Sequence, residues 1–430
     1  MSTTTGLSPA PRTDGPVVAT MTVVSHKALV IFAVLTAGLA LILARSAETG
    51  DTTFRLAADS DFVKLPELTV PSVPSAWLLA AVCALLTAES LRRYLAKRPT
   101  PGWAVIAFAV AWMAAFLTWA AAGGSVPVVG LLAGSLALAV PLVFGALGGV
   151  LGERAGVVNI AIDGQLLLGA FAAAIVGSAT GSPWAGLVAA MLAGALVAVV
   201  LGVFAITYLV DQVIVGVVLN VLVIGLTSFL FSQVLAPNAA TLNSPPRFPR
   251  VPIPLLGDIP LIGPIFFRQT MIVYLLYIAV ALVTFALYRT RWGLRVRAVG
   301  EHPKAADTVG IKVNLTRYRT IILAGAIAGM GGAFFTLVSV PQFNREMTGG
   351  AGYIALAAVI FGKWDPVRAT LAALLFGFAS NLQGVLAVLG SPVPSQFMLM
   401  LPYVITIFAV AGLVGRSRPP AADGIPYQKE

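Results

Sequence analysis

What most limits this chain is a series of uncharged apolar runs, each close to the roughly 20 residues that a helix needs to cross a hydrocarbon core. A segment inside lipid must satisfy its own backbone polar groups, which leaves only helices and closed barrels. Barrel strands would alternate apolar and polar residues over roughly 10 positions, and these runs do not alternate. The sequence therefore predicts an all-α, polytopic integral membrane protein. Candidate spans fall at about 27–44, 76–91, 102–122, 126–150, 163–180, 184–208, 212–235, 270–288, 319–340, 367–388 and 397–415. A shorter run at about 350–362 brings the expectation to about 11 or 12 hydrophobic segments. Composition agrees: 58% of residues are hydrophobic, 10% are charged and the mean hydropathy is +0.93, values foreign to soluble domains.

The formal charge of +10 is gathered in a few loops between apolar runs. That distribution fits the positive-inside rule in a lipid-embedded chain better than a nucleic-acid partner, and no nucleic acid is expected. The loop from Arg289 to Arg319 carries Arg289, Arg291, Arg295, Arg297, Lys304, Lys312, Arg317 and Arg319 against Glu301 and Asp307. It should be cytoplasmic. Counting spans outward from it puts both termini and the Arg92, Arg93, Lys97, Arg98 loop inside, and the 45–75 and 236–268 loops outside. The 45–75 loop is the more acidic one, with Glu48, Asp51, Asp59, Asp61 and Glu67 against Arg45, Arg55 and Lys64. The count closes only if 350–362 also crosses or the chain re-enters there. Neither outer loop is long enough for a binding domain, so a captured solute would come from a separate partner.

Residues 1–25 are rich in Ser, Thr, Pro and Gly, without a signal-peptide pattern, and read as a disordered cytoplasmic tail. Cys83 is the single cysteine and lies in an apolar run, which excludes an intramolecular disulfide or thiolate cluster. His26 and His302 sit at loop edges, and no metal or other cofactor is expected. The chain carries no glycine-rich lysine-serine/threonine loop for nucleotide and no serine-histidine or paired-carboxylate arrangement for hydrolysis. It reads as a transport subunit, not an enzyme.

Two breaks interrupt the apolar pattern with Gly and polar residues. One is Gly152 to Gln165 after the span at 126–150; the other is Gln342 to Gly352 after the span at 319–340. Each is followed by a small-residue-rich segment and a further span, so 126–235 and 319–415 look like two versions of one unit. By the charge count they run in opposite directions, as inverted repeats. Interrupted helices in such repeats present backbone groups to solute in transporters; Gly-rich breaks can equally serve close helix packing. Polar residues inside apolar runs are costly and so are candidates for the solute path: Asn159, Asp163, Gln165, Asn220, Glu346, Asn381 and Gln383. Glu153, Arg154 and Asp211 stand at span ends, where one of the first two could meet Asp211 or another cytoplasmic-side charge, a structural ion pair being as open as solute contact. The amides suit a neutral solute better than an ion, and interhelical bonding is their competing role.

At Glu153 to Ala173 and Arg289 to Ile311 the chain resembles permeases of bacterial ATP-binding-cassette importers, in the branch that carries branched-chain amino acids, simple sugars and nucleosides. The runs Glu153 to Asn159, Tyr353 to Trp364 and Arg416 to Pro426 are most similar to the nucleoside and simple-sugar permeases served by a lipoprotein of the basic-membrane-protein type. The resemblance covers roughly 126 to 430. It implies a cytoplasmic ATPase subunit, a second permease subunit and an extracytoplasmic substrate-binding lipoprotein as partners, in a bacterial inner membrane. It also implies a coupling loop that docks on the ATPase, with Arg289, Trp292, Gly293, Arg295, Arg297, Gly300, Glu301, Pro303, Ala305, Ala306 and Gly310 as its residues. Lys304-Ala305-Ala306 with Gly310 has the spacing of the importer docking motif, although Lys304 replaces its glutamate and no Leu-Pro pair follows. Pro303 suits the first turn of a docking helix, with Ala305, Ala306, Val309 and Gly310 along one side. The expected organisation is a tail at 1–25, an extension of three spans at 26–125, a permease core at 126–415 and a cytoplasmic tail at 416–430. The rival class is a gradient-driven secondary transporter of a small polar solute.

Overall fold

The computed structural model describes residues 26–45, 50–57, 64–389, 396–397, 400 and 418–429. The tail at 1–25 and all but two or so residues of the span expected at 397–415 lie outside them. Fourteen helices run in chain order: α1 (Lys27–Arg45), α2 (Ser72–Leu95), α3 (Gly102–Ala120), α4 (Val128–Arg154), α5 (Ile162–Thr180), α6 (Pro183–Gly202), α7 (Gln212–Leu230), the one-turn α8 (Ala239–Leu242), α9 (Met271–Arg289), α10 (Arg291–Glu301), α11 (Pro303–Thr308), α12 (Val313–Phe334), α13 (Ala351–Phe361) and α14 (Pro366–Val388). Among the described residues, 10 of these are long and apolar enough to cross a membrane. Among the described residues, π-helical turns extend helices at Val203–Thr207, Phe231–Leu235 and Phe335–Ser339, and another at Gly263–Phe267 leads into a short strand.

Local chemistry sets many of the boundaries. Ser182 caps α6 with Pro183 in its first turn, Asp211 accepts from the Val213 and Ile214 amides at 2.8 and 3.1 Å to start α7, and Asp365 accepts from Arg368 N at 2.9 Å ahead of Pro366 to start α14. Gly181 ends α5 at φ +65°, a conformation that a side chain would strain.

Packing divides the chain into two units, one holding Met1–Gly50 and Pro71–Trp119, the other Asp51–Val70 and Ala120–Glu430. In the first, α1 packs along α2, the Phe32 and Phe108 rings stack at 3.9 Å, and Trp112 Nε1 donates to Leu35 O at 3.1 Å. Cys83 is buried in the same cluster. In the second, small strands lie between the helices. β1 (Asp51–Arg55) joins β2 (Leu68–Pro71) and pairs in parallel with β3 (Ser125–Pro127); β4 (Arg250–Pro252) pairs antiparallel with β5 (Arg268–Thr270).

The large unit is built on an exchange of roles between two helix triplets. Gly331 of α12 lies against Phe144 of α4, and Gly148 and Gly152 of α4 lie against Ala324 and Ile321 of α12, so these two helices run antiparallel. α6 packs antiparallel on α12 where Gly194 meets Gly325 and Ala190 meets Gly329; α14 packs antiparallel on α4 where Gly377 meets Ser135 and Ala139. α5 crosses α12 at Gly169 and Gly329, as α13 crosses α4 at Ala355 and Gly145. The triplets α4, α5, α6 and α12, α13, α14 are thus related by an approximate two-fold that reverses chain direction. Lipid supplies no hydrophobic drive between helices, and small residues at these crossings let backbones approach for dispersion contact.

The two copies differ in one place. α5 has 19 residues, whereas α13 has 11 and spans only roughly 16 Å at 1.5 Å per residue. Because α12 and α14 both run antiparallel to α4, the chain between them must return across the bundle. It does so as an irregular segment of bends and turns at 340–350 followed by the short helix at the run expected at 350–362.

Candidate translocation path and coupling surface

The two breaks bring the first turns of α5 and α13 face to face inside the bundle. Gly352 N donates to Asp163 Oδ1 at 2.9 Å and Thr348 Oγ1 donates to Asp163 Oδ2 at 3.3 Å. The approach is so close that a Cβ on Gly352 would overlap the Asp163 backbone. The α13 end of this contact is thus an N-terminal amide offered to the carboxylate, while the α5 amides of Gly164 and Gln165 are bonded to Asn220 Oδ1 and Ala161 O.

Amides lock the chain that leads into α5. Asn220 of α7 accepts from Gly164 N at 2.8 Å and donates to Ile160 O at 2.9 Å and to Tyr353 Oη at 3.1 Å. Asn159 and Gln165 bond reciprocally, both at 3.1 Å, and Gln212 Oε1 accepts from Val158 N at 2.7 Å. Asn159, Asp163, Gln165 and Asn220 are all buried, with exposures of 0–4%. These four predicted residues therefore come together, and they direct most of their hydrogen-bonding capacity to one another and to backbone. Tyr353, 48% exposed, is the member of the cluster that reaches an open face.

The other three predicted path residues stand apart. Asn381 donates to Leu131 O at 2.7 Å and holds α14 to α4, and Gln383 is half-buried further along α14. Glu346 is exposed in the irregular segment ahead of α13 with φ +53°. Its neighbour Arg345 donates to Ser232 Oγ at 2.6 Å and lies over the Phe231 ring. Thr348, Gly352, Tyr353 and Gln212 were not singled out from the sequence; the Gly-rich break around Gly349 to Gly352 was the available signal.

On the side of the basic loop, α10 and α11 form a bent pair. Thr290 caps α10 by accepting from Gly293 N at 3.1 Å, and His302 caps α11, with Pro303 in its first turn, by accepting from Ala305 N. Gly293, Gly300 and Ala306 face inward, while Arg289, Arg295, Glu301, Ala305 and Gly310 are exposed and Trp292, Arg297 and Pro303 half-buried. The expected single small-residue side of α11 is corrected by this arrangement: Ala306 packs with Val299, Val313 and Tyr427, whereas Ala305 and Val309 point outward. Arg297 lies over the Tyr288 ring at 5.3 Å. Gly300 touches the end of α4 so closely that a Cβ there would overlap the Arg154 carbonyl. Glu153 and Arg154 do not meet Asp211. Instead Trp364 Nε1 donates to Glu153, and Arg154 Nε donates to Trp364 O at 2.9 Å, joining α4 to the turn after α13. No group of metal-ligating side chains occurs among the described residues.

Two inverted triplets with a polar seam between them form a scaffold for moving a small solute across a membrane. A family model described as branched-chain amino acid transport system / permease component matches residues 131–410, covering both triplets and the basic loop. The chain belongs to this permease family. The permease is 42% identical over 304 residues to the guanosine ABC transporter permease protein NupQ of Bacillus subtilis, covering 69% of this chain and 95% of that one. It is 37% identical over 312 residues to the nucleoside ABC transporter permease protein NupC of Lactococcus lactis, covering 70% and 96%. A putative glucose ABC transporter permease protein of Haloferax volcanii is 38% identical over 258 residues, covering 59% and 77%. No solved structure matches the permease.

Proposed function

We propose that this permease is the membrane-spanning subunit of an ATP-binding-cassette importer and forms the path for a nucleoside. The observation that carries the reading is the 42% identity to a guanosine permease along 95% of that protein's length. The exposed Tyr353 at the edge of the seam suits a solute with hydroxyls and a base, with the buried amides holding the chain behind it. ATP hydrolysis belongs to a separate cytoplasmic subunit that docks on α10 and α11, and a second permease subunit completes the path. A lipoprotein delivers solute on the opposite face. Both termini are cytoplasmic in the bacterial inner membrane, as the basic α10–α11 loop favours. Residues 26–125 form an extension outside the shared core.

Cells lacking the permease should lose uptake of labelled guanosine, and that uptake should survive a protonophore while ATP is maintained. Retained guanosine uptake in the deletion strain contradicts the nucleoside reading. The glucose permease relative favours a simple sugar as the second reading; loss of glucose uptake with guanosine uptake intact would select it.

A further inference from the structure

We infer that the C-terminal strap, residues 418–429, is a positioning element for transport, tying α10 and α11 to the break between α4 and α5 so that motion at the ATPase face reaches the polar seam. This rests on the importer reading.

The strap touches three parts of the large unit. On α10 and α11, Ala422 N donates to Gly300 O at 2.8 Å and Ala421 N donates to Glu301 Oε2 at 3.2 Å. Tyr427, 8% exposed, completes the small cluster of Val299, Ala306 and Val313, and Lys429 Nζ lies 3.8 Å from Asp307 Oδ1. At the start of α12, the buried Arg317 guanidinium donates from Nη1 to Ile425 O at 3.0 Å. At the break, Gly156 adopts φ +81°, and a Cβ there would meet Arg317 Nη2 at 2.8 Å and Ala422 O at 3.0 Å; Gly424 lies beside Val158.

Gly300 is the pivot of this arrangement. Its carbonyl receives the strap, and its Cα presses on the Arg154 carbonyl at the end of α4. Beyond Arg154 the chain runs through Gly156 and Val158 to Asn159 and Asp163, the residues that meet the first turn of α13. Without the strap, the six-residue α11 is held by its two flanking turns and the packing of Ala306, and it can tilt without pulling on the break. With the strap in place, α10, α11, the start of α12 and the break move as one body, as a two-state coupling element requires.

The test uses the full complex with its ATPase and binding lipoprotein in vesicles, comparing wild type with deletion of residues 418–430, with Tyr427→Ala and with Tyr427→Phe. Recovery of the ATPase subunit, ATP hydrolysis and solute uptake are measured together. In the deletion and in Tyr427→Ala, uptake per ATP should fall about tenfold while ATPase recovery and hydrolysis stay within about twofold of wild type, and Tyr427→Phe should restore the ratio. If the deleted chain does not accumulate, Tyr427→Ala and its Phe rescue carry the test. Uptake and hydrolysis falling together, or an unchanged ratio, overturns the strap's role. A wild-type complex without ATP-dependent uptake overturns the importer reading itself.

Discussion

Asn220 holds three separate pieces of chain at the seam: the Ile160 carbonyl, the Gly164 amide and the Tyr353 hydroxyl. Asn220→Ala leaves a buried donor and acceptor without partners, which should cost about 1–3 kcal/mol. The loss should appear as a lower unfolding midpoint in detergent, and an unchanged midpoint contradicts the assigned bonds. Gly352→Ala acts differently, because its Cβ has no room against the Asp163 backbone. Pushing α13 from α5 should abolish uptake while a chain of full length still inserts, checked by quantifying membrane protein beside transport; normal uptake would contradict the close approach. At this scale the sequence spoke through cost. A polar residue in an apolar run needs a reason, which is how Asn159, Asp163, Gln165 and Asn220 could be named without a structure. The same rule named Asn381, whose amide serves a neighbouring helix, because the cost of burial is the same whichever partner meets it. Trp364, the partner of both Glu153 and Arg154, stood out only as the end of a family-like run, since its indole N–H looks apolar by pattern and acts through a contact distant in sequence.

Among the elements, the spans were legible because length and hydropathy alone define them, and their ends were less so. α2 begins at Ser72 and continues to Leu95 through Arg92 and Arg93, basic residues whose aliphatic stems can lie along apolar surface with their heads in water. The strap was legible as a motif and silent as a structure: it has no periodicity, and its bonds to Gly300, Glu301 and Arg317 are all tertiary. Its carboxylate makes a prediction about pH. Burial pushes the Asp423 carboxyl up to about 7, with the Arg317 guanidinium and the Gly424 amide pulling the other way. Arg317 of α12 and Glu153 of α4 are the charged groups that act on it from packed elements. The value is higher docked than free, so a docked strap retains a proton that a released strap gives up. Docking is then firmest at low pH and weakens as pH rises through about 7. Hydrogen exchange at the Ala422 amide, corrected for intrinsic rates, should be more protected near pH 6 than near pH 8; equal protection contradicts this.

For the whole molecule, opposed repeats were readable from two broken apolar runs and the charge of one loop, and the structure adds what a one-dimensional pattern cannot hold. The triplets exchange partners across an approximate two-fold, so α6 sits on α12 as α14 sits on α4, and the two broken helices start against each other. The inequality of α5 and α13 was visible as a short run, although its consequence, a crossing made partly of bends and turns at 340–350, depends on tertiary packing. Residues 26–50 and 71–119 of the extension lie in a separate packing unit and ahead of the family match, while 51–70 pack with the core through β1 on β3, so its removal should cost the core that edge pairing alone and leave transport intact. Uptake by a chain starting near residue 120 measures this, and loss of uptake with normal insertion would give the extension a transport role. The most direct test of the central claim is uptake of labelled guanosine into vesicles holding the complete purified complex. The account predicts accumulation that requires ATP and the ATPase subunit and is indifferent to ion gradients; accumulation driven by a proton or sodium gradient with no ATPase present would contradict it.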